Sequence, residues 1–287
     1  MSLLDPQARD LVSSVRWLPC PVPGHPDLLG PWPVAVLGSG PPLLLLHGFD
    51  SSFLEFRRLA PLLAADHQLW IPDLCGFGFT PRPPGQAWGP DLVLQHLEAL
   101  LPQLQGEGAP AAGIIAASMG AAVALHLTRR LESSGRAAPA RLLLLAPAGL
   151  GGRPRPVPPP LHRLGAALLG LPAVRRGLCR QAFADPEASV GPAEEQIASL
   201  HLAVPGWAEA LAGFARSGGF AGAGAPLPAA AVRVLWGSND RILRQPELRQ
   251  AAELLGERLE LVPQCGHLPH LDLPSLVARR WREPWEH

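Results

Sequence analysis

The stretch Gly113-Ile114-Ile115-Ala116-Ala117-Ser118-Met119-Gly120-Ala121-Ala122 restricts the possible folds more than any other part of the chain. An apolar run of strand character stops at a serine. Small residues flank that serine, and Val123, Ala124, Leu125 and Leu127 then carry the apolar content on at helical spacing. A strand that turns at one residue into a helix brings two backbones close together, so a side chain larger than a methyl at Ala116 or Gly120 clashes. The layout G-x-S-x-G meets that demand with two glycines. Here the first glycine is replaced by Ala116, a sterically mild departure. Two readings fit the stretch by itself: Ser118 is the apex of a nucleophile elbow, or it is the N-cap of an alanine-rich core helix.

The rest of the chain repeats the alternation of buried strand and helix. Leu43-Leu44-Leu45-Leu46 is a continuous apolar run that suits a strand covered on both faces, and it ends at His47-Gly48-Phe49-Asp50. Leu69-Trp70-Ile71-Pro72 ends at Asp73 and a glycine-rich turn, residues 74–80. Arg141 to Leu145 ends in Ala146-Pro147-Ala148-Gly149. Val232 to Trp236 is followed by Gly237-Ser238-Asn239-Asp240, and Leu259 to Val262 by Pro263-Gln264-Cys265-Gly266-His267. Helical spacing predicts helices over Phe53 to Leu63, with Ser51 or Ser52 as N-cap, and over Pro90 to Leu104, Glu247 to Leu255 and Pro274 to Arg282. Near the N-terminus, Ser13 to Leu18 and Val34 to Leu37 read as short strands. Strands alternating with helices predict an α/β fold with a mostly parallel central sheet flanked by helices. Ligands of such sheets sit at the C-terminal strand ends, where His47, Asp73, Ser118, Asp240 and His267 fall.

From about Gly151 to Leu227 the pattern changes. A proline-rich segment, residues 154–160, gives way to apolar helical pieces at Leu161 to Leu171, Val174 to Phe183, Glu194 to Leu202 and Ala208 to Phe214. The expected organisation is a core from residues 1–150 and 228–287, with residues 151–227 inserted as a helical cap.

Composition excludes several classes of function. The formal net charge is zero, which argues against a nucleic-acid partner. No stretch is long and apolar enough to insert in a membrane, and the N-terminus has neither a basic head nor an apolar signal core, so a cytoplasmic location is expected. The four cysteines, Cys20, Cys75, Cys179 and Cys265, form no C-x-x-C pair and fit no zinc spacing. With no H-E-x-x-H and no clustered His/Asp set, neither a metal nor another cofactor is expected. Lysine and tyrosine are both absent, which removes Schiff-base chemistry and phenolic acids.

A serine hydroxyl is a weak nucleophile. It needs a base to accept its proton, and the base needs an anion to hold its tautomer. Asp240 and His267 follow later strands and supply both, so the catalytic candidates are Ser118, Asp240 and His267, in the chain order serine, acid, histidine. Five segments in series, His47-Gly48, residues 73–78, the Ser118 turn, residues 235–240 and residues 266–274, resemble the α/β-hydrolase superfamily in its branch with a helical cap. The wording around His47 to Phe56 and Asp73 to Pro81 also resembles a set of mostly uncharacterised cyanobacterial and plastid hydrolases.

The resemblance implies an oxyanion hole made by the backbone amides of Phe49 and Met119, with His47 bracing the loop that aims the first. It implies a small-molecule substrate with an apolar acyl or alcohol group, and Phe77, Phe79, Trp207 and Leu268 as lining residues. Relatives that displace halide or open epoxides carry aspartate at the elbow, so Ser118 favours ester hydrolysis. Two alternatives stay open: a slow small-molecule receptor of the same fold, and a hydrolase of carbon–carbon bonds. Asp50 is expected to cap its loop, Asp73 to hold the glycine-rich turn, and His270 and Asp272 to serve as scaffold.

Overall fold

The computed structural model describes residues 2–105 and 111–285. Strands β1 (Val15–Leu18), β2 (Trp32–Leu37), β3 (Pro42–Leu46), β4 (Gln68–Pro72), β5 (Gly113–Ala117), β6 (Arg141–Leu145), β7 (Ala231–Gly237) and β8 (Leu259–Val262) form one sheet. Its order is β1-β2-β4-β3-β5-β6-β7-β8. The two N-terminal strands pair antiparallel, and every pair from β4 to β8 is parallel. This is the α/β-hydrolase fold, a mostly parallel sheet flanked by helices.

The helices are α1 (Pro6–Ser13), α2 (Ala60–Leu63), α3 (Pro90–Gln105), α4 (Met119–Ser133), α5 (Leu161–Leu169), α6 (Pro172–Ala182), α7 (Pro186–Ser189), α8 (Pro192–Ile197), α9 (Trp207–Ser217), α10 (Gln245–Leu255), α11 (Pro269–Asp272) and α12 (Pro274–Arg282). Alternating strand residues feed two separate cores. Leu44, Leu46, Ile114, Ala116, Leu142, Leu144, Val234 and Trp236 face one side with α3, α4 and α10. Leu43, Leu45, Ile115, Ala117, Leu143, Leu145 and Leu235 face the other with α1, α2 and α12. The unbroken apolar runs follow from this double burial, and each leucine so buried stabilises the fold by about 2 kcal/mol.

The expected strands appear within a residue or two of their predicted bounds. The helix expected over Phe53 to Leu63 instead divides into a 3-10 turn (Phe53–Phe56) and the short α2. The Phe53 amide donates to Asp73 Oδ1 at 2.6 Å, and Ser52 makes no side-chain capping bond, so a distant carboxylate takes the capping role. Helix α1 lies ahead of the first expected strand, in a stretch for which the sequence predicts no element. Asp5 caps it by accepting from Gln7 and Ala8 N–H, and Pro6 supplies a preset first turn. Between β6 and β7 the described residues hold helices α5 to α9 and no strand. Among the described residues, no helix is long and apolar enough to cross a membrane.

Candidate active site

Strand β5 ends at Ala117, and Ser118 takes φ 49° and ψ −117°, a conformation L-residues rarely adopt. Backbone bonds hold it there. Its N–H donates to the Leu145 carbonyl at 2.9 Å, and its carbonyl accepts from Ala121 and Ala148 N–H, each at 3.1 Å. Ser118 does precede α4 at the N-cap position, yet its hydroxyl makes no capping bond. The strain is therefore not explained by helix capping, and such strain persists where the surroundings enforce it at functional sites.

The two small neighbours differ in what they meet. A Cβ on Gly120 would overlap the carbonyl oxygens of Leu46 and His47, so glycine is required there. Ala116 is fully buried, and its methyl packs among the residues facing α3 and α4, so the extra carbon is accommodated. A Cβ on Gly48 would lie 3.3 Å from Ser118 Cβ, which shows how closely the loop after β3 approaches the serine.

Asp240 follows β7 and His267 follows β8. Asp240 Oδ1 accepts from Ile242 N–H at 2.8 Å and Leu243 N–H at 3.0 Å, and Oδ2 lies 2.8 Å from His267 Nδ1. An ionised carboxylate only accepts, so His267 Nδ1 carries the proton of this bond and Nε2 keeps its lone pair. Both side chains are buried. The histidine loop is held from the helices between β6 and β7. His267 N–H donates to the Ala182 carbonyl at 2.8 Å, and Asp272 Oδ2 accepts from Gly266 N–H at 2.7 Å and Ala184 N–H at 3.0 Å. Ser118 shares the strand-end rim with this pair, though among the described hydrogen bonds none joins its hydroxyl to His267. Such bonds are often long before substrate binds.

The loop after β3 is fixed from below. Leu74 N–H donates to His47 Nε2 at 3.0 Å, which leaves the ring proton on Nδ1 to donate to the Gly48 carbonyl at 2.8 Å. Burial pushes the His47 pKa down to about 4, and only the neutral ring can accept as it does. Gly48 N–H donates to Glu55 Oε2 at 3.2 Å. Burial pushes the Glu55 carboxyl up, but its 2.9 Å contact with His270 outweighs that and lowers the pKa to about 2. The Gly48 carbonyl and the Phe49 N–H belong to one peptide plane, so the His47 bond also sets the direction of that amide. Neither the Phe49 nor the Met119 amide has a protein acceptor among the described residues. Met119 opens α4, where amides lack intrahelical acceptors and the helix dipole favours an anion.

Asp73 holds the glycine-rich turn by accepting from Phe53 and Phe79 N–H, each at 2.6 Å. Its carboxylate fills the space a Cβ on Gly78 would need. Burial raises its pKa to about 7.

The residues expected to line a pocket have distinct surroundings. Phe77 is buried, and its ring lies 5.7 Å from that of Phe49 and 5.1 Å from that of Phe214 in α9. Phe79 packs against Phe53 at 5.7 Å, and Leu268 packs with Ala182, Phe183 and Leu271. Trp207 is buried, with its indole N–H donated to Asp50 Oδ1 at 2.8 Å. Two surface cavities of about 630 and 920 Å³ meet at Trp88, Gly213 and Arg216, and neither includes Ser118, Asp240 or His267. Asp50 is the residue whose surroundings the sequence concealed. Its carboxylate is buried among Arg175 of α6, His201 of the 3-10 turn Leu200–Ala203 and Trp207 of α9, all more than 120 residues away along the chain.

A strained serine at one parallel strand end, with a hydrogen-bonded acid–histidine pair at two others, places the candidate site at the C-terminal strand ends of an α/β protein. The family model described as "Alpha/beta hydrolase family" matches residues 43–280, and the chain belongs to that family. It is 29% identical over 301 residues to the alpha/beta hydrolase domain-containing protein VTE7 of Arabidopsis thaliana, covering 97% of this chain and 86% of that protein. It is 30% identical over 116 residues to 2-hydroxymuconate semialdehyde hydrolase of Pseudomonas sp. (strain CF600), covering 39% of this chain and 38% of that one. Among solved structures it is similar to an alpha/beta hydrolase fold protein from Burkholderia ambifaria, with a TM-score of 0.69 and 25% identity over 88% of this chain and 94% of that one.

Proposed function

We propose that the protein is a serine hydrolase that cleaves carboxylic esters bearing a small apolar acyl group, with residues 151–227 forming a cap over the strand ends. The observation that carries this reading is the bond between His267 Nδ1 and Asp240 Oδ2 at 2.8 Å, which leaves Nε2 free to serve as the base for the strained, uncapped Ser118 at the same strand-end rim. In this mechanism Ser118 Oγ attacks the ester carbonyl while Nε2 takes its proton. The oxyanion that forms accepts from the Phe49 and Met119 amides. Collapse expels the alcohol, protonated by His267, and leaves an acyl-serine. Water then attacks with His267 again as base, and a second collapse releases the carboxylic acid and restores the hydroxyl.

A second reading, hydrolysis of a carbon–carbon bond next to a ketone, is favoured by the similarity to 2-hydroxymuconate semialdehyde hydrolase over 39% of the chain. One experiment separates the two. The purified protein is treated with a fluorophosphonate probe and assayed on p-nitrophenyl butyrate and on a vinylogous 1,5-diketone. Labelling at Ser118 with steady ester turnover supports the ester reading. Labelling with turnover of the diketone alone supports the second. Labelling with neither turnover points to a receptor, and no labelling at Ser118 overturns the nucleophile assignment.

A further inference from the structure

We propose that Asp50 is a positioning residue that makes the seating of residues 172–207 of the cap a condition for aiming the Phe49 amide; this rests on the hydrolase reading above. Phe49 is held on its two sides by different parts of the molecule. Upstream, the Gly48 N–H and carbonyl are tied to Glu55 and His47, both in the core. Downstream, Asp50 takes a left-handed φ of 49°, a conformation uncommon for a residue with a side chain, and its carboxylate is anchored. Every hydrogen-bond donor to its carboxylate among the described residues comes from the stretch between β6 and β7. Arg175 of α6 donates to Oδ2, while His201 Nε2 at 3.0 Å and Trp207 Nε1 at 2.8 Å share Oδ1. Arg175 also donates to the Ala198 carbonyl, so the helices that meet at Asp50 are bound to one another as well.

The cluster is buried and pairs a carboxylate with a guanidinium. Asp50, Arg175 and His201 are all buried. Burial pushes the Asp50 carboxyl up, but His201, Arg175 and Trp207 together outweigh it and hold it below the usual carboxylate range. Burial holds His201 below its ordinary pKa, in keeping with a neutral ring that donates from Nε2. The Phe49 ring continues the link, packing 6.0 Å from Phe214 of α9. A core residue would have sufficed to fix one loop. Three donors from three cap elements on the residue next to the oxyanion amide instead make the direction of that amide depend on where the cap sits.

The test compares wild type with Asp50→Asn and Trp207→Phe. The second variant removes one donor and keeps the aromatic body, so it decides the matter if Asp50→Asn does not fold. Each is assayed for kcat and KM on p-nitrophenyl butyrate and for inhibition by an aryl trifluoromethyl ketone, whose serine adduct carries an oxyanion. Asp50→Asn is expected to lower kcat roughly ten- to a hundredfold, as displacement of a catalytic group by up to an ångström does. Trp207→Phe is expected to lower it roughly tenfold, the lower end of what one hydrogen bond to a charged group contributes. In both, KM stays within about twofold and ketone affinity falls in parallel with kcat. Folded variants that keep wild-type kcat and ketone affinity, or that raise KM alone, overturn the proposal. A wild-type protein that the fluorophosphonate does not label at Ser118 overturns the hydrolase reading instead.

Discussion

Replacing Asp240 by asparagine tests the proposed proton relay with almost no change of shape. The structure dictates which way the new amide must sit. Oδ1 already accepts from two backbone amides, Ile242 and Leu243, and neither can bond to an NH2 group. The asparagine carbonyl therefore takes the Oδ1 position and the NH2 group faces His267 Nδ1, 2.8 Å away in the native bond. A donor facing a donor is not tolerated, so Nδ1 gives up its proton and the imidazole carries it on Nε2 instead. That is the nitrogen meant to accept from Ser118, and it can no longer do so. The loop bonds survive, so the stability cost is small, while kcat falls by about four orders of magnitude, as in the serine-protease template for this substitution. Four decades correspond to about 5.4 kcal/mol of lost transition-state stabilisation. Steady-state kinetics on p-nitrophenyl butyrate measures the rate, and the ring-nitrogen shifts of His267 in a 15N-histidine spectrum report the tautomer. A folded variant within tenfold of wild-type kcat would falsify the assignment of Asp240, and an unchanged tautomer would refute the reasoning about the amide's orientation.

Three further outcomes are expected. Ser118→Ala should abolish turnover and leave the melting temperature nearly unchanged, because the hydroxyl caps nothing; differential scanning fluorimetry beside the kinetic assay checks both. Ala116→Gly restores the commoner elbow residue but adds backbone freedom inside a strand, so it should cost roughly 0.5–1 kcal/mol by urea titration with activity kept. His96 is buried against Trp32 with no partner for either ring nitrogen among the described residues, and burial pushes its pKa down to about 3. As pH falls below 6.5 the unfolded chain binds a proton that the folded chain refuses until about pH 3, so this histidine removes stability through that window. His96→Phe should therefore flatten the fall of unfolding free energy between pH 6 and 4 by up to about 1.4 kcal/mol per pH unit. A slope equal to wild type would show that His96 titrates normally in the folded protein.

Most of the sheet was legible because its strands are buried on both faces. Runs such as Leu43 to Leu46 and Leu142 to Leu145 admit little else, and each ends where its turn residues begin. The serine turn was legible for a related reason, since close approach of strand and helix forces small residues and glycine at position 120 shows in the sequence. The first helix escaped notice because only two of its eight residues, Ala8 and Leu11, are buried, which leaves almost no periodic signal. The region of Phe53 to Leu63 misled in the opposite way. Its apolar spacing is real, but the 3-10 turn answers to Asp73, twenty residues on, and local pattern cannot report a distant carboxylate.

Asp50 shows where reading along the chain stops. Its neighbours in sequence give a carboxylate in a loop, and capping that loop is the natural use for it. The structure assigns it to three donors 125, 151 and 157 residues downstream, on elements whose helical character was legible but whose placement was not. The same holds for His201, which falls in the expected helical piece Glu194 to Leu202 and is 1% exposed and bonded to that carboxylate. Both facts depend on how the residues between β6 and β7 pack against the loop after β3, and no periodicity encodes that. What the sequence does hold is a chemical asymmetry. An acid stands directly after the residue proposed to supply an oxyanion amide, where a negative charge left bare would oppose the charge developing on the substrate. Such an acid is tolerable only if its charge is consumed, and Arg175, 125 residues further along the chain, consumes it by direct pairing.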